Sequence, residues 1–513
     1  MNGLRRFGTI LMAEVLMRCR DRRLMLVLLM AAAIAWWCFP PKGASYMVLA
    51  LDETYRGQYS SAWVGMTVAM TSLWIALAGF YLVRGSLTRD IDTQVWQLLA
   101  ATPLRRSTYL LAKWGAHLTV LGLLVAAATA GGVAAQLVRA EDTRIDLVEL
   151  CKPIALLAAP SCAITAMLSI WFDLIPSLRR TFGNVAYFCV WLAMLAATQH
   201  MARAHTMGAS TVIGDPFGVT VFTEAARHAI QLQTGATAST DFCMVCGSKP
   251  GTPVSIAWQT WQPTPAVVAG RLLWLLLAAM AVAVGAALGS PKPSVRKAGA
   301  ATQRQRPIRL PWLATLVQPL RRHPFGELFL SELQLMLRQR RRWWWAALAI
   351  VWCIQFFAAI DSVAVATVVG WLLLLDIFSR AALLERDART AAMVFSADIH
   401  DRILRARWAA LFALALLTNL PALLHSAVSA PATALAAVAA DASLATAGLA
   451  LGVLTGNGRT FELAICLLAY FAFNGGVVLN IAVDPLRTTV LHLAATLPMA
   501  GVLMAKWGRT RLA

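Results

Sequence analysis

Charged residues are scarce in this sequence. Only 14% of its 513 residues are Asp, Glu, Lys or Arg, whereas 59% are hydrophobic, and the mean hydropathy is +0.64. Soluble domains carry about 25% charged residues. This scarcity excludes a soluble protein of ordinary composition and predicts a polytopic membrane protein.

Cysteine is also sparse, with nine residues. Most of them sit in or beside apolar runs, where thiols behave as small hydrophobes, so no disulfide framework is predicted. Cys243 and Cys246 differ because they lie in a predicted outer loop. A local disulfide is favoured there, with two free thiols as the alternative. A zinc site would need further ligands such as His205 and His228, whose spacing matches no metal pattern, so no metal is predicted.

Catalytic motifs are missing from the sequence. It contains neither His-Glu-x-x-His nor Gly-x-Ser-x-Gly. The glycine-containing run 456–460 lacks the lysine that a P-loop needs on the phosphates. We therefore expect no enzyme activity and no cofactor in this chain, and an intramembrane enzyme is disfavoured. Any ATP hydrolysis would belong to another polypeptide.

Acidic residues are scarcer than basic ones, 25 against 45, which gives a net charge of +20. With the N-terminus inside, most Lys and Arg residues fall in the predicted cytoplasmic segments, as the positive-inside rule requires. They are spread over several loops and do not form one basic patch with interleaved aromatics, so nucleic-acid binding is not expected. The pattern predicts a bacterial inner-membrane protein with both termini cytoplasmic.

Long apolar runs are abundant. A spanning helix needs about 20 apolar residues, and the first run reads as a retained anchor because no small-residue cleavage site follows it. We predict an all-α fold with twelve spans. They lie near 24–40, 62–83, 114–136, 153–175, 185–202, 266–290, 344–360, 362–384, 408–428, 431–455, 461–482 and 488–505.

An internal repeat organises these spans. A pattern before the first span recurs at one constant offset before the seventh. It comprises Phe7-Gly8, Glu14, Arg20, Arg22 and Arg23, which recur as Phe325-Gly326, Glu332, Arg338, Arg340 and Arg341. Two shorter matches pair Arg89-Asp90 with Arg386-Asp387 and Arg180-Thr181-Phe182 with Arg459-Thr460-Phe461. The repeat predicts two parallel, pseudo-symmetric six-helix halves, 1–290 and 324–513, joined by a flexible cytoplasmic linker, 291–323.

The segment before each of these spans mixes apolar residues with arginine and is predicted to be an amphipathic helix on the inner surface. Glu14 falls on the same face as Phe7 and Leu11, and Glu332 on the same face as Phe325. A carboxylate on an apolar face is costly unless it is paired. A structural ion pair with a nearby arginine is one interpretation, and contact with a partner or a moving helix is the other.

The run from Glu14 to Arg23 resembles the N-terminal elbow of type-2 ABC exporter permeases, and the segment 84–113 resembles their coupling helix. The resemblance implies that two copies of a separate nucleotide-binding subunit, which carries ATP and Mg, dock on 84–113 and 385–407 and on the elbow helices 5–23 and 324–342. A solvated loop is the alternative for 84–113. The residues implied in coupling are Arg89, Asp90, Thr93, Pro103, Arg106, Arg386 and Asp387.

Polar side chains inside spans are functional candidates because burying them is costly. Asp441 lies among small residues in the tenth span, and Asn474 lies in the eleventh. One interpretation is a hydrogen-bonded helix-packing contact, and the other is a position on a substrate path.

The resemblance implies an ATP-driven exporter of a hydrophobic or amphipathic substrate such as a lipid, a peptide or a small molecule. The alternative is a membrane-embedded mechanical or assembly protein that acts on an accessory outer protein through the loop 203–265, which we expect to form a small outer cap. Membrane lipids are expected partners in either case.

Overall fold

The computed structural model describes the following residues: 3–41, 44, 46–52, 54–95, 104–179, 181–203, 214–236, 242–247, 254–288, 320–338, 340, 342–357, 363–388, 390, 391, 394, 400–473 and 484–507. The chain is largely helical and divides into two compact units, Met1–Val295 (unit 1) and Arg296–Ala513 (unit 2).

Unit 1 contains long apolar helices together with shorter ones. They are α1 (Gly3–Cys19), α2 (Arg22–Trp37), α3 (Ser61–Val83), α4 (Ser86–Asp92), α5 (Arg106–Arg139), α6 (Leu147–Pro153), α7 (Ala159–Leu174), α8 (Thr181–Arg203), α9 (Val219–Thr234) and α10 (Pro265–Leu288). A π-helical turn, Ile154–Ala158, joins α6 to α7, and a 3₁₀ turn, Pro176–Leu178, follows α7.

The central helix of unit 1 is α3, which is buried on nearly all of its faces. Its N-cap is Ser60, whose hydroxyl accepts a hydrogen bond from the Trp63 amide, satisfying one amide that the first helical turn leaves free. Glycines allow neighbouring helices to approach closely. A Cβ on Gly65 would lie 2.3 Å from the Leu150 carbonyl oxygen, and one on Gly131 would lie 2.1 Å from that of Ala32.

A four-stranded sheet lies at the end of unit 1 where α3 begins, which we call the sheet end. Its strands are β1 (Tyr46–Leu51), β2 (Tyr55–Gly57), β3 (Phe242–Gly247) and β4 (Val254–Ile256), in the order β3-β1-β2-β4. β1 pairs antiparallel with β2 and β3, and β2 pairs parallel with β4. The expected outer cap therefore takes strands from two distant segments of the chain, which the all-α prediction missed.

Unit 2 is helical throughout its described part. Its elements are a 3₁₀ turn (Leu320–Arg322), α11 (Pro324–Arg338), α12 (Arg342–Phe357), α13 (Val363–Ala381), α14 (Leu384–Asp387), α15 (His400–Thr418), α16 (Leu420–Ser429), α17 (Pro431–Thr455), α18 (Arg459–Phe473) and α19 (Pro485–Trp507). A bend of 69° separates α15 from α16 at Asn419.

Seven helices in the described part of the chain are long and apolar enough to cross a membrane, or eight if α15 and α16 count as one span. Several such helices identify a membrane-embedded protein. The shorter apolar helices Leu24–Trp37 and Trp343–Phe357 correspond to the first and seventh predicted spans. The count of twelve spans and the pseudo-symmetry of the halves remain predictions.

Candidate functional site

The first ion cluster lies at the end of unit 1 opposite the sheet, which we call the elbow end. Its centre is Lys113, near the start of α5 and 4% exposed, whose Nζ lies 2.7 Å from Glu14 Oε2 and 2.8 Å from Asp90 Oδ2. Glu14 belongs to α1 and Asp90 to α4. One lysine therefore joins three helices through two carboxylates.

Two arginines complete the first ion cluster around Glu14. Arg89 Nη2 lies 3.2 Å from both of its carboxylate oxygens, and Arg18 Nε lies 3.6 Å from Oε1. The Arg18 guanidinium also donates to the carbonyl oxygens of Leu82 and Val83, at 2.9 and 2.7 Å. These carbonyls belong to the last turn of α3, so α1 is fastened to α3 as well as to α4 and α5.

The short helix α4 is also held at its own beginning. Gly85 adopts φ 84° just before it, a conformation that glycine takes without strain. Asp173 Oδ2, from the end of α7, accepts hydrogen bonds from the amides of Gly85 and Leu87 at 2.8 and 3.3 Å. A carboxylate at a helix N-terminus satisfies free amides and the helix dipole. At its other end, Asp90 accepts a 2.5 Å hydrogen bond from the Tyr109 hydroxyl.

The second ion cluster, in unit 2, has the same plan with different residues. Arg407, on α15 and 2% exposed, lies 2.9 Å (Nε) and 3.0 Å (Nη2) from the two oxygens of Glu332 on α11. Its Nη1 and Nη2 lie 3.0 and 2.5 Å from the two oxygens of Glu385 on α14. A planar guanidinium suits such paired contacts because its donors form a rigid fork.

The two clusters correct one match of the sequence repeat. Sequence similarity pairs Asp90 with Asp387, but Asp387 is exposed, and the buried carboxylate that meets the basic residue of the next helix is Glu385. Arg386 is exposed and donates to the Gly456 carbonyl oxygen at 3.4 Å. In both units the short helix supplies a carboxylate to the basic residue of the next helix, but the position of that carboxylate differs from the one that the sequence match predicts.

We also call the end of unit 2 that carries the second ion cluster its elbow end. The other described residues predicted for coupling or for the elbow lie at the elbow end of their own unit. Arg20, Thr93 and Arg106 are exposed, and Arg340 Nη1 lies 2.8 Å from Asp376 Oδ2. The backbones of Arg22 and Arg23 begin α2, and that of Arg338 ends α11. Pro103, Arg341 and Asn474 lie outside the described residues.

Asp441 lies inside unit 2, on α17, and is 0% exposed. Its Oδ1 accepts hydrogen bonds from Trp371 Nε1 at 2.7 Å and Asn419 Nδ2 at 2.9 Å. These contacts come from neighbouring helices of the same unit. They agree with the hydrogen-bonded packing interpretation, whereas a position on a substrate path stays a prediction.

Cys243 and Cys246 both lie in β3, paired with Ala50 and Met47 of β1. An extended strand rises about 3.3 Å per residue, so three residues separate their Cα atoms by about 10 Å. A disulfide requires Cα atoms within about 7 Å. The strand conformation therefore disagrees with the predicted local disulfide.

A small polar cavity of about 210 Å³ lies at the sheet end. Its lining residues are Pro40, Pro41, Tyr59, Val138, Arg139 and Glu141. Glu141 forms a two-bond pair with Arg56 at 3.0 and 2.6 Å and accepts the Tyr59 amide at 3.0 Å. Burial raises the pKa of the Tyr59 phenol to about 12, so this hydroxyl stays protonated and donates to the Pro40 carbonyl.

Sequence reasoning missed the central roles of Lys113, Arg407 and Glu385. A signal existed for the first two, because each is a basic residue within the first turns of the apolar helix that follows a predicted coupling segment. Glu385 was overlooked because the neighbouring Arg386-Asp387 pair matches Arg89-Asp90 in the sequence repeat. Within the described ranges, no group of three or more His, Cys, Asp or Glu side chains is placed to hold a metal ion.

Comparisons with protein-family models, with curated proteins and with solved structures found no match for this chain.

Proposed function

We propose that this chain is the membrane subunit of an ATP-driven exporter of the ABC type, which moves a hydrophobic or amphipathic substrate outward. The observation that carries the proposal is the pair of buried ion clusters. In each unit an amphipathic helix, a short helix after an apolar span, and the beginning of the next apolar helix share one buried set of charges.

Such a cluster makes the three elements move together. Removing one partner of a buried ion pair costs about 3–5 kcal/mol because a charge is left uncompensated. A force applied to α4 therefore displaces α1 and α5 before the charges separate. Transmission of this kind needs rigid elements that exchange between discrete packed arrangements, and α5 continues across the whole unit to the sheet end.

The charges that remain exposed at the elbow ends supply a docking surface. In unit 1 they include Arg20, Arg105 and Arg106, and in unit 2 Arg386 and Arg402. We propose that two copies of a separate nucleotide-binding subunit, with ATP and Mg, bind these surfaces from the cytoplasm. Under this proposal the chain itself binds no nucleotide, and both termini are cytoplasmic in a bacterial inner membrane.

Charge reversal at Arg106 tests the docking. Arg106 is exposed and forms none of the ion pairs of the first cluster, so Arg106→Glu should leave the fold intact. Like charges placed across an interface weaken binding. We expect affinity for the ATPase subunit to fall about tenfold, which corresponds to about 1.4 kcal/mol, with a parallel loss of ATPase stimulation in proteoliposomes.

The matched control is Arg144→Glu, the same change at an exposed arginine of the sheet end. It should leave binding and stimulation unchanged. Equal effects of the two variants, or none from either, would contradict docking at the elbow end.

A second candidate function is favoured by the folded sheet end. β1 and β2 join β3 and β4 across a long stretch of sequence, and α9 packs against β1 and β4. Such a built outer domain fits a mechanical protein that passes motion to an outer partner. Deleting the segment 242–256 distinguishes the two. Export from vesicles should survive the deletion if the chain transports a substrate. If the chain acts mechanically, the deletion should abolish recruitment of the outer partner, and neither form of the chain should export a substrate.

A further inference from the structure

A buried polar network lies within unit 2, and neither ion cluster uses it. Gln355 comes from α12, Trp371 from α13, Asn419 from the bend between α15 and α16, and Asp441 from α17. All four side chains are at most 1% exposed. An unpaired carboxylate at such a position in an apolar bundle is costly.

Hydrogen bonds reach only one oxygen of Asp441. Both the Trp371 indole and the Asn419 amide donate to Oδ1, at 2.7 and 2.9 Å. Oδ2 is buried and has no hydrogen-bond partner within the described ranges. The orientation of Asn419 is fixed by the network, because its own Oδ1 accepts a hydrogen bond from Gln355 Nε2 at 3.0 Å.

This asymmetry distinguishes the two protonation states of the carboxyl group. An ionised carboxylate accepts hydrogen bonds through both oxygens, whereas a neutral acid accepts through its carbonyl oxygen and donates through its hydroxyl. Two donors on Oδ1 and none on Oδ2 is the pattern of the neutral acid. Gln355 Oε1 is a second buried acceptor of the network that has no donor among the described residues.

No cation compensates Asp441 in the described part of unit 2. α13, α15, α16, α18 and α19 pack against α17. They carry the ionisable groups Asp376, Arg380, His400, Asp401, Arg402, Arg405, Arg407, His425, Arg459, Glu462, Arg487, His492 and Lys506. The described ion pairs join none of these groups to Asp441. A bound proton is therefore the simplest way to neutralise it.

We propose that Asp441 is an intramembrane proton-binding site, protonated in this conformation, and that its proton holds α17 against the bent α15–α16 pair. The proton comes from water and returns to it. Ionisation would leave a buried charge, which favours arrangements in which the bend at Asn419 admits water. The proposal rests on the network alone and does not require the exporter function.

Infrared spectroscopy of the full chain in lipid nanodiscs tests the proposal. A protonated carboxyl group gives a carbonyl band separate from those of carboxylates and amides. At neutral pH we expect such a band, shifted in D₂O, in the unaltered chain and its loss in Asp441→Asn. The matched control Asp376→Asn changes a partly exposed, arginine-paired carboxylate and should keep the band.

Two further measurements test the proposal without the Asp441→Asn variant, in case that variant folds poorly. Trp371→Phe removes one donor to Oδ1 and should shift the band while preserving it. Thermal stability should also fall as pH rises above about 4, where a free aspartic acid ionises. The fall should be about tenfold in the folding equilibrium per pH unit for as long as the folded state keeps the proton, because the folded state then holds one more proton than the unfolded state. A neutral-pH spectrum without the band, or stabilisation by Na⁺ with no dependence on pH, would overturn the proposal.

Discussion

Both ion clusters join three helices through buried charges, but they use different residues to do so. In the first, Glu14 and Asp90 meet three cations, Arg18, Arg89 and Lys113. In the second, Arg407 is the one cation paired with Glu332 and Glu385 among the residues that the structure describes. Unit 1 therefore distributes its pairing over several residues, whereas unit 2 concentrates it in one guanidinium. In both units a buried ion cluster joins an amphipathic helix, a short helix and the beginning of the next apolar helix, although different residues form the cluster.

The choice of cation follows from this difference. Arg407 must satisfy four carboxylate oxygens by itself, and only the guanidinium fork presents enough donors in one plane. Lys113 is a compact point charge with three donors, which suffices because Arg18 and Arg89 share Glu14 with it. The two units should therefore respond differently to loss of the central cation.

Arg407→Leu should have the largest effect. It leaves two carboxylates buried and unpaired beside each other, and we expect a loss of about 3–5 kcal/mol of stability, measured as the denaturation midpoint in detergent. The triple variant with Glu332→Gln and Glu385→Gln should regain most of the loss, because the uncompensated charges are gone. A triple variant as unstable as Arg407→Leu would show that the arginine acts through packing.

Lys113→Met should have a smaller effect. Glu14 keeps two arginines after this change, and Asp90 keeps the Tyr109 hydroxyl. We expect a loss of about 1–3 kcal/mol by the same measurement. A loss equal to that of Arg407→Leu would contradict the distributed pairing of unit 1.

Asp376→Asn should cause the smallest loss of stability, and it tests whether burial determines the contribution of an ion pair. Asp376 pairs with Arg340 and Arg380, but it is 35% exposed and Arg380 is 38% exposed. Exposed ion pairs contribute about 0–1 kcal/mol, so the midpoint should scarcely move. A loss of stability as large as that of Lys113→Met would mean that the presence of an ion pair, and not its burial, determines how much stability each variant loses.

Much of the elbow end could be predicted from the sequence. The repeat located α1 and α11, and the cost of an apolar-facing carboxylate gave a reason to pair Glu14 and Glu332. In the structure Glu14 pairs with Arg18, Arg89 and Lys113, and Glu332 pairs with Arg407, in agreement with the ion-pair interpretation, whereas contact with a partner or a moving helix stays a prediction. The position of Lys113 and Arg407 in the first turns of an apolar helix marks them as residues that need a partner, but the sequence could not show which carboxylates they meet, because Glu14 and Glu332 are far from them in sequence.

The sheet end could not be predicted, for a different reason. β1 and β3 are separated by almost two hundred residues, and non-local strand pairing leaves little trace in local composition. The bend at Asn419 was missed because the run 408–428 was read by its hydropathy alone, although Pro421 stands in the first turn of α16, where proline favours the start of a new helix. Hydropathy records that a segment is apolar but not whether its helix is continuous.

The most direct test of the exporter proposal is the composition of the complex purified from the native membrane. Native mass spectrometry should find one copy of this chain with two copies of a nucleotide-binding subunit, and ATP should be hydrolysed by the complex. Arg106→Glu should reduce the bound subunit while Arg144→Glu retains it. Purification of the intact chain without any ATPase, under conditions that preserve other membrane complexes, would contradict the proposal.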